Sequence, residues 1–214
     1  MKKHQKEIIG IFGNIYPEVK PHLKFSNNIE LAIAVMLSAQ CTDKQVNKVT
    51  PKLFSRCKTL KDYLEIPQKE LEKLIYSTGF YKNKAKNIKA FAKKLISDFN
   101  GELPKTLKEL TTLPGIGRKT ANVIEHEAFN KIEGIVVDTH VLRLSYRMGF
   151  GLETKNAEKQ EKELMKVLPK KYWYYYSHWC ILLGRSFCIS RKPKCKECPL
   201  KDSCTKNVAV TKII

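Results

Sequence analysis

The sequence predicts an all-α protein, and three observations predict it. Apolar residues recur at helical spacing, while no stretch alternates apolar with polar residues in the manner of a half-buried strand. Helix starts are marked repeatedly: Asn27 with Glu30, Thr42 with Gln45 and Thr106 with Glu109 all stand at capping-box spacing. Helix ends are marked by Gly79 and Gly101, which stand where a left-handed residue closes a last turn.

Taken in order, the elements begin with MKKHQKEIIGIFGNIYP, whose basic start is interrupted by Glu7. Its apolar run IIGIF is too short for a signal-peptide core and no small-residue cleavage site follows, so it reads as an N-terminal helix. IELAIAVMLSA (29–39) is apolar on all sides, which marks a central buried helix. A helix opened by Thr42 comes next, and TGFYKNKA then sets Phe80 directly after Gly79. Leu110 to Ile124 reads as helix, tight L-P-G-I-G turn and helix. IVVDTHVLRLSYRMG (135–149) places Asp138 after an apolar run, at the start of a further helix where Asp is a favoured N-cap. KYWYYYSHWCILLG (171–184) reads as a core helix, its rings packing rather than forming a base-stacking platform. At roughly 100–200 residues per domain the chain holds one large or two modest domains, and the short turn from Lys131 to Gly134 is the best boundary.

Forty Lys and Arg against 21 Asp and Glu give a formal net charge of +19 at pH 7. Such a surface attracts polyanions, or serves solubility alone. No apolar run approaches the roughly 20 residues of a membrane span, so no membrane partner is expected and the chain reads as cytoplasmic. In that reducing compartment the seven cysteines are not expected to form disulfides.

The hairpin carries an apparent misfit. A helix N-terminus is electropositive and disfavours cations by roughly 0.3–1 kcal/mol each, yet Arg118 and Lys119 open the helix after Gly117. Glycines let successive N–H groups converge on one point, and the helix dipole adds to them, so the turn is an anion-binding nest suited to a DNA phosphate. Arg118 then has an anion to meet. For Lys119 two explanations stand: a second phosphate contact, or a lysine whose surroundings disfavour ammonium and favour the free amine that attacks carbon. Asp138 is a simple N-cap, or an ionised carboxylate aimed at a developing positive charge.

FCISRKPKCKECPLKDSC (187–204) gives Cys188-x6-Cys195-x2-Cys198-x5-Cys204. Four thiols so close call for a metal centre. Structural zinc usually takes two short-spaced pairs and only one C-x2-C occurs; a [4Fe–4S] group tolerates the wider spacings. Arg191, Lys192, Lys194 and Lys196 lie between the cysteines and balance its charge, meet phosphates, or do both.

LSAQCTDKQVNK (37–48), LPGIGRKTANV, VDTHV and the cysteine pattern occur in an order that resembles the endonuclease III family of DNA glycosylases, within the helix-hairpin-helix superfamily. The resemblance covers nearly the whole chain. It implies a two-domain fold: a helical barrel over 21–132 bearing the hairpin, and an iron–sulfur domain over 133–214 against which the N-terminal helix (1–20) packs, with DNA in the cleft between. It implies Lys119 as Schiff-base nucleophile, Asp138 as catalytic carboxylate, and Cys188, Cys195, Cys198 and Cys204 as [4Fe–4S] ligands. Gln40 looks like the residue that fills the hole left by an extruded base, and Phe80 stands in the place of an apolar wedge, or packs back on its own helix. Leu113, Gly115, Gly117 and Arg118 of the hairpin, with Arg191, Lys192 and Lys194 of the cysteine loop, are the expected DNA contacts. EHEAFNKIEG (125–134) departs from the family, being charged where a smoother apolar run is expected.

The expected function is a bifunctional DNA glycosylase and abasic-site lyase, a nucleoid-associated monomer acting on double-stranded DNA that carries damaged pyrimidines or abasic sites. Two rivals are a mismatch-specific monofunctional glycosylase of the same fold, whose members usually lack lysine at the position of Lys119, and a non-catalytic iron–sulfur DNA-binding module.

Overall fold

The computed structural model describes residues 1–19 and 23–205. Among them the regular structure is helical, with no strand, and no helix is long and apolar enough to cross a membrane. The chain forms two compact units, one from Met1–Val19 with the described part of Ile132–Ile214, the other from the described part of Lys20–Lys131.

The second unit is built around α2 (Asn28–Ser38). Its start is fixed by Asn27, whose Oδ1 accepts from the N–H groups of Ile29 at 3.0 Å and Glu30 at 2.9 Å. Every residue from Leu31 to Leu37 is buried, each Leu or Ile contributing roughly 1.5–3 kcal/mol by leaving water. Around it lie α3 (Asp43–Arg56), α4 (Leu60–Glu65), α5 (Gln68–Ile75) with a 3-10 turn at Tyr76–Thr78, α6 (Tyr81–Phe99), α7 (Leu107–Leu110) and α8 (Arg118–Phe129). Helices α3, α6 and α8 pack directly on α2. Thr42 and Thr106 cap α3 and α7 as their spacing suggests. A reciprocal box that the sequence reading did not pick out, Thr59 with Asp62, starts α4.

Two glycines shape the turn between α7 and α8 in different ways. Gly115 has φ +78°, and a Cβ there would lie 2.6 Å from Met36 Cε and 2.9 Å from Asn87 Cβ, so both backbone and space demand glycine. Gly117 has an ordinary φ of −85° and open space around its Cα.

The first unit joins the two ends of the chain. Helix α1 (Lys3–Ile15) buries Ile8, Ile9 and Phe12 in one core with α9 (Thr139–Arg147), α10 (Ala157–Val167) and α11 (Trp173–Ser186). The Phe12 ring stacks on Trp179 at 5.4 Å, and Trp179 Nε1 donates to Tyr16 O at 3.1 Å. Gly184 lets α11 close on α9, since a side chain there would run into His140 and Arg143.

Two expected outcomes follow from this packing. Gly115→Ala should lose at least about 1–2 kcal/mol through its left-handed backbone alone, seen as a lowered thermal midpoint, whereas Gly117→Ala should melt with the parent protein. On α8, burial pulls the His126 pKa down to about 4. As pH falls below the ordinary value of 6.5 the unfolded chain takes that proton first, so this contribution to stability, complete above pH 6.5, is lost down to about pH 4. His126→Gln should therefore flatten the decline of the thermal midpoint across that window, and an unchanged pH profile would contradict the assignment.

Candidate functional site

The hairpin presents its parts in a definite way. Leu113, expected among the DNA contacts, is instead core: its side chain is 2 % exposed and its N–H donates to Leu110 O at 3.1 Å. An apolar side chain at the mouth of a tight turn between two packed helices has that core in reach. Gly115 and Gly117 remain at the surface. Gly117 is the N-cap of α8 and supplies no side-chain acceptor, unlike the Asn, Thr and Asp caps of α2, α3, α4, α7, α9 and α10. The first turn of α8 thus lacks a side-chain cap for its N–H groups and can offer them, with the positive end of the dipole, to an anion. Arg118 and Lys119 stand exposed on that first turn. Lys119 makes no hydrogen bond or ion pair with any described residue, so its amine is available for chemistry.

Asp138 caps α9, its Oδ1 accepting from Val141 N–H at 2.8 Å. The segment leading to it is anchored by buried Ile135 and Val137, and Ser177 Oγ donates to Val136 O at 2.7 Å. A partly buried carboxylate is thereby held on the positive end of a helix.

Gln40 and Phe80 share a property no spacing rule reveals. Both are exposed residues in the left-handed region, at φ 54° and 49°, a conformation that costs a side-chain-bearing residue roughly 1–2 kcal/mol. The other non-glycine residues there, Asn100 and Asn130, are helix C-caps of the residue type that tolerates it. Phe80 is 64 % exposed, so it does not pack back on its helix. Strain kept at two exposed tips is characteristic of working parts.

The cysteine loop is gripped from α9. Arg147, buried, donates from Nη1 to Ile189 O at 3.0 Å and Cys188 Sγ at 3.5 Å, and from Nη2 to Ser190 O at 2.8 Å. Arg143, one turn earlier, donates to Cys188 O from Nε at 3.2 Å and Nη2 at 3.0 Å. The sequence reading missed both arginines; their four-residue spacing on one helix face was the available signal. Cys188, Cys195, Cys198 and Cys204 line one small space of about 30 Å³ with Met148, Leu183, Phe187 and Leu200. Burial pushes the Cys198 thiol up, and the other three sulfurs add to it. Among the described residues no group of three His, Cys, Asp or Glu side chains is arranged to hold a metal ion, although the four cysteines border one space. Arg191, Lys192 and Lys194 stand exposed on the loop.

Residues 33–170 match the family model described as HhH-GPD superfamily base excision DNA repair protein. The chain is 44 % identical over 203 residues to the endonuclease III of Synechocystis sp., covering 95 % of this chain and 92 % of that one. It is 46 % identical over 192 residues to the endonuclease III of Bacillus subtilis, covering 90 % and 87 %. A solved structure described as a trapped endonuclease III–DNA covalent intermediate superposes with a TM-score of 0.88 at 43 % identity, covering 96 % of this chain and 97 % of that one. A family match over more than half of the chain, joined to relatives of this identity along nearly all of it, places the protein in the endonuclease III family of the HhH-GPD superfamily.

Proposed function

We propose that this chain is a base-excision DNA glycosylase with abasic-site lyase activity, acting as a monomer on double-stranded DNA that carries oxidised pyrimidines or abasic sites. The observation that carries the reading is the exposed, unpartnered amine of Lys119 at the uncapped start of α8, in a chain whose solved relative is described as trapped in a covalent complex with DNA. A covalent intermediate needs a nucleophile, and an amine is one that leaves an imine.

The amine of Lys119 attacks C1′ of the damaged nucleotide. The C1′–N bond to the base breaks, the base leaves with the bonding pair and takes up the proton that the amine gives up, and the C1′–O4′ bond of the sugar then opens, its electrons and a proton from solvent going to O4′, as the iminium forms. The Asp138 carboxylate stabilises positive charge developing on the sugar and moves the amine proton. A proton then leaves C2′, the C3′–O bond breaks with its electrons going to the 3′ phosphate, and water releases the lysine. Gln40 fills the space of the extruded base and Phe80 enters the stack as a wedge, offsetting the few kcal/mol of unstacking. Their exposure and left-handed backbones suit those tasks. Arg118, the N–H groups around Gly115 and Gly117, and Arg191, Lys192 and Lys194 meet phosphates, consistent with the net charge of +19.

The four cysteines fit a [4Fe–4S] group. All four border one space, and Arg143 and Arg147 supply positive charge beside Cys188. When bound, the group neutralises the thiolates and fixes the loop. Purified protein should carry about four irons per chain and absorb in the visible. A colourless protein with one zinc would overturn this, as would a loop whose protease resistance survives iron removal unchanged.

Borohydride added during turnover should weld the protein to lesion-bearing DNA, and Lys119→Gln should bind the same DNA without trapping. Asp138→Asn should lower base excision by roughly 10²–10³-fold with binding little changed, and abasic-strand cleavage should suffer less because no glycosidic bond remains to break. Trapping by Lys119→Gln, or losses in both variants that merely follow DNA affinity, would leave Lys119 a phosphate contact and the chemistry unassigned.

A further inference from the structure

Lys84, in the first turn of α6, is buried at 6 % exposure, an uncommon place for a lysine. Its Nζ donates to two backbone carbonyls, Leu37 O and Thr78 O, each at 2.8 Å. No carboxylate pairs with it among the described residues. Burial lowers its pKa, with the nearby Cys41 opposing. Holding an ammonium out of water costs several kcal/mol, and a methionine would fill the same volume without that cost. The two carbonyls therefore need an account.

Both belong to segment ends. Leu37 O lies in the last turn of α2, just before Gln40; Thr78 O closes the 3-10 turn before Phe80. Carbonyls at helix ends lack helical partners and carry the negative end of the dipole, which suits a cation. Lys84 also donates its own N–H to Phe80 O at 3.0 Å, so one residue holds the Phe80 segment by backbone and side chain together. A second tie runs parallel to it, from Gln45 Nε2 to Ser77 Oγ at 2.6 Å.

We propose that Lys84 is a positioning residue for base extrusion: its buried ammonium binds the segments ending in Gln40 and Phe80 into one pair, so that both tips meet DNA at a fixed separation. This rests on the roles given above to Gln40 and Phe80. Neither tip is held there by its own packing, since both are exposed and backbone-strained. Without the shared clamp each would have to be ordered on binding, at a cost in conformational freedom.

The test replaces Lys84 by Met, which keeps length and volume but removes charge and donors, and by Arg, which keeps both. Single-turnover excision is measured on one lesion in duplex and in single-stranded DNA, with thermal midpoints and the fluorescence of a 2-aminopurine beside the lesion as the report of unstacking. Lys84→Met, which leaves both carbonyls without this donor, should lower the thermal midpoint modestly while still folding. It should lose duplex activity roughly tenfold, as when about 1.4 kcal/mol of positioning disappears, with weaker unstacking and unchanged single-strand activity. Lys84→Arg should recover most of the duplex preference. Equal losses on both substrates, or an unaltered duplex-to-single-strand ratio, would overturn the proposal. Should Lys84→Met fail to fold, Lys84→Gln, keeping a donor to one carbonyl, carries the same two readings. Gln40→Ala and Phe80→Ala are measured alongside. If neither loses duplex activity selectively, the roles of those two residues fail and the proposal falls with them; if both do and Lys84→Met does not, the proposal alone fails.

Discussion

The complete burial of α2 is the constraint on which its unit depends. A helix apolar on every face must be surrounded, and α3, α6 and α8 surround it. The features assigned to function in this unit are then placed relative to this one helix. Met36 sets how close the α7–α8 turn can come and so requires Gly115. Leu37 offers the carbonyl that Lys84 takes, and Gln40 stands just past its C-terminus. Hairpin and strained tip are positioned by a single rigid core element, which is how a site on loops gains the precision that chemistry needs.

In the other unit α9 has a comparable position. Its N-terminus is capped by Asp138, and its last turns carry the two arginines that hold the cysteine loop. With nine residues at about 1.5 Å rise each, the helix is short and stiff. The Asp138 carboxylate and the cysteine loop are therefore held by one short helix. Gly184 contributes by letting α9 lie against α11, where Tyr176 donates its hydroxyl hydrogen to Ser145 Oγ at 3.0 Å.

Much of this was legible before any coordinates. Caps at Asn27, Thr42 and Thr106 are local side-chain chemistry, and the all-apolar run before Gln40 admits few other interpretations. The cysteine spacing and the ordered motifs named the family. What escaped depends on non-local contacts. Leu113 was expected at the DNA because it opens the hairpin motif, but burial depends on the helices packed behind the turn. Residues 125–134 stood out as a charged departure from the family, and the burial of Glu125 and partial burial of His126 depend on the packing of α8. Lys84 resembles the many lysines around it, and only the convergence of two distant carbonyls distinguishes it. The left-handed backbones of Gln40 and Phe80 contradict their residue types and could not be read from them.

The stacking of Phe12 on Trp179 has a consequence for how the protein is made. Helix α1 leaves the ribosome before the whole of the other unit, and its core partners leave after it. The described part of Lys20–Lys131, by contrast, is a compact unit made from one continuous stretch and can fold as it emerges. While it does so, Ile8, Ile9 and Phe12 must wait as an exposed apolar helix face, through some six seconds or more of synthesis at roughly 5–20 residues per second. The lysines and the glutamate that flank this face are charges of the kind that keep an exposed apolar stretch soluble, and Glu7 then accepts from Ser203 Oγ at 3.1 Å once the unit has closed.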